Sequence, residues 1–164
     1  MLRELLSNKK SVIVDKWIQS IDNSYPLETS KFLKSQKDRF SNPVGYAISS
    51  CAENLFNELL KSCNKENIKA SLLDLIKIRA VQEFSPSQSI GFIFQLKKII
   101  HEELESEIKA GSNFRELMEI ETVIDEMALA AFDLYMDARE KIFQIRVKEL
   151  KARLLFNDMN GVPE

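Results

Sequence analysis

Glycine and proline are scarce, four of each in 164 residues, and that scarcity excludes a chain assembled from short strands and tight turns. β-Branched alternation is equally thin, so the chain reads as all-α. Cysteine appears only as Cys51 and Cys63. Twelve positions apart on what reads as one helix, they would be separated by about 18 Å along its axis, too far for a disulfide. Free thiols in a reducing, cytoplasmic setting are expected, and no His or Cys lies near enough in sequence to make either a metal ligand. One histidine, His101, leaves no Ser-His-Asp or Cys-His scheme unless it serves itself, so no enzyme is expected. No charge of one sign prevails: 23 basic residues stand against 25 acidic ones, which gives no drive toward nucleic acid or an anionic membrane. The most apolar stretch, Ile90 to Leu96 extended to Ile100, is broken by Gln95, Lys97 and Lys98. It falls short of the roughly 20 residues that span a bilayer, and the opening Met1-Leu2-Arg3-Glu4 is unlike an export signal.

A chain of this length buries roughly 70% of its unfolded surface, so one domain over residues 1–164 is the default and no disulfide or metal staple is required. Apolar residues recur at three-and-four spacing from Leu2 through Ile21, where a first helix is expected, ended by Pro26. A short second helix is expected through Phe32 and Leu33 to about Phe40. Asn42-Pro43 is a cap followed by proline and starts a third, with Ile48, Ala52, Leu55, Phe56 and Leu59 inward. Ile68, Leu72, Leu75, Ile76 and Arg79 mark a fourth. Ser85 reads as the N-cap of a fifth, with Pro86 at its first position and Gln88 completing a capping box. Its apolar character on all sides suggests a central, buried helix, and Gly91 suggests close approach of a neighbour. From Ser112 to Asn160 there is no Gly or Pro. If continuous from Asn113 to Phe156, the sixth helix would be about 65 Å long, against a domain radius of gyration of about 15 Å. Part of it must protrude, or it must break.

A protruding amphipathic helix exposes its apolar stripe, and pairing with a second copy covers it. A homodimer is therefore expected, with Tyr135, Ile142, Ile145 and Leu150 as candidate residues of the dimer helix. The final segment is locally basic through Arg139, Lys141, Arg146, Lys148, Lys151 and Arg153. The residues between are aliphatic more than stacking, which favours a protein partner over nucleic acid. The acidic run Glu102, Glu103, Glu105, Glu107 lacks an organising histidine and reads as a solvated surface, with no metal site expected. His101 has Glu105 one turn on, where a surface ion pair is the plain reading. The candidate ligand- or partner-binding residues are Arg79, Gln82, Phe84, Ser85, Ser87 and Gln88. There a helix N-terminus offers free N–H groups to an anion and Arg79 supplies a countercharge. The alternative is that Ser85 and Gln88 only cap the helix while Arg79 pairs with Asp38 or Glu83. Asp38, Arg39, Asn42 and Pro43 admit the same two readings.

The segments Ile78 to Lys97, Phe32 to Gly45 (FLKSQKDRFSNPVG) and Ala131 to Lys151 (AFDLYMDAREKIFQIRVKELK) resemble the N-terminal domain of the RsbRD-type RsbT co-antagonists, regulatory proteins of bacterial stress-response complexes. The resemblance implies a single globin-like or bundle-like domain of about six helices with a long C-terminal helix. It further implies a non-enzymatic sensor, adaptor or scaffold module that acts through dimerisation and contacts with a protein partner. Related domains precede STAS or histidine-kinase modules, and this sequence carries no STAS segment. No cofactor is expected. The alternative is a small-molecule or haem-binding globin-like sensor, for which no histidine is present from Ile68 to Phe84, where a proximal ligand would be expected.

Overall fold

Side-chain caps and prolines set many of the helix boundaries in the computed structural model, which describes residues 2–35, 38–61, 63–111 and 113–160. Among the described residues eight helices follow one another: α1 (Leu2–Asn8), α2 (Lys10–Asp22), α3 (Leu27–Ser35), α4 (Pro43–Leu60), α5 (Lys65–Val81), α6 (Pro86–Glu103), α7 (Glu105–Lys109) and α8 (Phe114–Asn160). No strand occurs among the described residues. The Asn42 side chain accepts from Gly45 N and Pro43 occupies the first turn of α4. Asn64 accepts from Glu66 N and Asn67 N at the start of α5. The capping box of Ser85 and Gln88 is fully formed at α6, each side chain taking the other's backbone N–H. Each cap satisfies donors that the first helical turn otherwise leaves orphaned.

α8 packs along α5 and α6, α5 along α4, α4 along α2, and α2 along α6. These five helices close a ring around one apolar core. Trp17, Leu55, Phe56, Leu72, Ile76, Ile93, Leu96 and Ile124 are fully buried within it. Trp17 also donates from its indole nitrogen to the Phe92 carbonyl at 2.7 Å and stacks on the Phe92 ring, so α2 is keyed to α6 by a bond as well as by packing.

Several expectations need correction. The first helix is two, because the chain turns at Lys9 and restarts at Lys10. A five-residue α7 lies between α6 and α8. α3 begins directly after Pro26 and ends at Ser35, and Phe40 stands exposed in a turn. Gln36 and Lys37, over which that helix was expected to run, lie outside the described residues. Cys51 and Cys63 do not share a helix: α4 ends at Leu60 with Lys61 extended, and Cys63 precedes the Asn64 cap. Both cysteines are free, Cys51 being buried. α6 is not buried on all sides, since Phe94, Gln95 and Lys98 face outward. A Cβ on Gly91 would meet nothing within 4 Å, so no neighbour approaches closely there. α8 does not break. Its 47 residues run as one helix about 70 Å long.

Candidate functional site

The α5–α6 turn carries the one non-glycine residue with positive φ among the described residues. Glu83 takes φ 61°, a left-handed conformation unfavourable for a side chain of its size. Three groups on α8 hold this turn. The Tyr135 hydroxyl donates to the Phe84 carbonyl, Arg139 Nη1 donates to the Ala80 carbonyl at 2.9 Å, and Arg146 Nη2 reaches the Glu83 carboxylate at 3.1 Å.

On the inner side of the same turn, Arg79 is fully buried with no carboxylate partner among the described residues. Its guanidinium carbon lies 5.3 Å from the centre of Tyr25, 5.0 Å from Phe84 and 5.2 Å from Phe92. Nη1 donates to the Gln88 carbonyl at 2.8 Å and Nη2 to Ser24 Oγ at 3.0 Å. Nε has no partner among the described groups. Burial lowers the Arg79 pKa from its ordinary value, opposed by Tyr25 and then Cys51, yet guanidinium remains a cation in proteins. Burial likewise raises the Tyr25 phenol, opposed by Arg79.

The expected ion pairs of Arg79 are therefore absent from the structure. Glu83 is taken by Arg146, and Asp38 accepts from Ser41 N and Oγ. Of the six candidate ligand residues, Arg79, Ser87 and Gln88 meet at one cleft between α2 and α6. Ser85 caps, Gln82 accepts from the Tyr25 hydroxyl at 3.1 Å, and Phe84 covers the guanidinium edge-on to Tyr25. Lys16, Ser24, Tyr25 and Phe92 complete the surroundings and were not singled out by sequence. A larger cleft of about 720 Å³ lies between α2, α3 and α4, with Asp15, Asp22, Glu53 and Lys34 in its lining.

The other candidates sit apart from this cleft. His101 bonds Glu121 of α8 at 2.6 Å rather than Glu105, because α8 crosses behind α6 while Glu105 turns to Lys109. The acidic run is distributed among lysines: Glu102 with Lys98, Glu103 with Lys16 and Glu107 with Lys9. Cys51 is buried and its thiol is pushed up to about 12 by that burial, so it is unreactive at neutral pH.

On α8, Tyr135 is buried and Ile142 packs against the chain's own core, whereas Ile145 and Leu150 are exposed. Of the four dimer-helix candidates Tyr135 is closed to a second chain, Ile142 is half-buried, and Ile145 and Leu150 are open to one. Residues 148 to 159 are exposed without exception. A further stripe runs along the outer face at every seventh residue: Leu129, Met136, Phe143 and Leu150 are 68%, 49%, 66% and 58% exposed. Beyond it lie Leu154, Leu155, Phe156 and Met159, all exposed.

The geometry defines an all-helical bundle domain with a projecting helix. Within that class, residues 11–150 match the family model described as the RsbT co-antagonist protein rsbRD N-terminal domain, and the chain belongs to that family. A protein of Archaeoglobus fulgidus, described as uncharacterized, is 26% identical over 152 residues, covering 87% of this chain and 85% of its own. No solved structure matches. No helix among the described residues is long and apolar enough to cross a membrane.

Proposed function

We propose that this domain is a non-enzymatic sensory or adaptor module of a stress-signalling complex, and that it works as a homodimer joined along α8. Its family supports the signalling class. The observation that carries the dimer is the exposed heptad-spaced stripe from Leu129 to Leu150, continued by bare apolar residues to Met159. An aqueous helix face of that kind is destabilising to leave uncovered. A second copy is the occupant that fits, because identical stripes repeating every seven residues superimpose about a two-fold axis. The grip of α8 on the α5–α6 turn gives the bundle a route to that interface. Protein partners of the complex then read the dimer.

Light scattering at micromolar concentration is expected to give twice 18.9 kDa. The double variant Phe143→Asp, Leu150→Asp is expected to be monomeric with unchanged helical circular dichroism, since it buries charge at the seam and touches nothing in the core. A wild-type monomer, or a dimer indifferent to both substitutions, refutes the α8 interface.

A further inference from the structure

The cleft between α2 and α6 has a volume of about 500 Å³, within the range of sites for small molecules. Its lining includes Arg79 and no acidic residue; Lys16, also at its edge, is already paired with Glu103. Arg79 forms the floor. A buried cation ordinarily has a carboxylate beside it, and here that place is taken by a serine hydroxyl and a carbonyl, while Nε–H has no partner among the described residues. The start of α6 enters the same cleft through Ser87 and Gln88 of its first turn and Gly91 of its second, bringing the positive end of the helix dipole. The missing side chain of Gly91 opens onto unoccupied space. Aromatic rings hold the guanidinium plane without neutralising it. All of these features favour negative charge at one point.

We propose that the cleft binds a small organic anion whose carboxylate or phosphate group is held by Arg79, with Ser87 at the start of α6 beside it. The anion replaces the Ser24 hydroxyl at Nη2. Ser24 is exposed at the end of α2 and retains its own bond to the Ile21 carbonyl at 2.6 Å, so it yields without leaving a buried group unpaired. The inference goes beyond the dimer and stands whether or not α8 pairs.

Inorganic phosphate and succinate are titrated separately into the full chain, followed by melting temperature and calorimetry, with sodium chloride at matched ionic strength as reference. One of them is expected to stabilise saturably, with Kd at or below about 1 mM. A response to phosphate alone assigns the phosphate group, and one to succinate alone the carboxylate. Arg79→Gln is expected to abolish the response. Because that variant removes a buried side chain and its fold is at risk, Gly91→Asp is the second arm: it places a carboxylate in the cleft without a clash, and is expected to abolish the response while Gly91→Asn retains it. Stabilisation no greater than that of sodium chloride, or an undiminished response in Gly91→Asp, overturns the proposal.

Discussion

The hold of α8 on the α5–α6 turn can be measured one bond at a time. Tyr135→Phe deletes only the hydroxyl, leaving the ring in its buried seat and the Phe84 carbonyl without its donor. A hydrogen bond of this kind contributes about 1 kcal/mol net, which for a domain of this size corresponds to a fall of about 2–4 °C in melting temperature. Arg139→Ala removes a charged donor to the Ala80 carbonyl from a half-buried side chain and is expected to cost about as much or slightly more. Arg146→Ala breaks an ion pair in which both side chains are more than half exposed, so its effect is expected to be close to zero. The order is therefore Tyr135 and Arg139 well ahead of Arg146. The Tyr135–Arg139 pair is expected to be non-additive because both hold one short turn. Urea denaturation monitored by circular dichroism gives the free energies, and amide exchange at residues 82 to 85 reports the turn itself. A Tyr135→Phe protein that melts with the wild type and protects those amides equally would show that α8 does not hold the turn.

Two further outcomes are expected. Ser85→Ala removes one arm of the capping box at α6 and should cost about 1 kcal/mol in thermal unfolding without altering oligomeric state; no change in melting would show that the box is not supporting the helix. Burial raises the Asp22 carboxyl above its ordinary 3.8, with Lys34 opposing. The folded state thus binds that proton more tightly than the unfolded one, and the contribution is lost as pH rises through the folded value. Asp22→Asn should consequently melt above wild type at pH 7, with the gap closing toward about pH 3, and the absence of a gap at pH 7 would contradict the assignment.

The helix starts at Asn42-Pro43 and Ser85-Pro86 were legible because a cap is decided within four residues of chain. The length of α8 was legible for a similar reason, since nothing from Asn113 to Asn160 interrupts a helix. The end of α4 was not: no Gly or Pro marks Leu60, and the break rests on the Asn64 cap that starts the next helix. Arg79 was singled out with the α6 cap, but its environment could not be read along the chain. The rings around it come from Tyr25, Phe84 and Phe92, brought together by the closure of the helical ring. The expectation of an ion pair rested on the usual rule that a buried cation has an anion beside it, and this fold departs from the rule. Tyr135 was assigned to the outer face of α8 by its apolar spacing alone. Spacing fixes which residues share a face and says nothing about which of two apolar faces turns inward.

Mechanically, α8 is a lever. From Arg146, the last residue by which it is tied to the turn, to Asn160 the helix extends about 21 Å at 1.5 Å per residue, and residues 148 to 159 have no support from the bundle. With Arg146 as the fulcrum, a tilt of about 5° displaces the far end by about 2 Å, within the small shifts by which packed helices transmit signals. A sub-ångström shift of α8 one turn to the bundle side of the fulcrum thus emerges enlarged several-fold at the tip, in the ratio of the two arms.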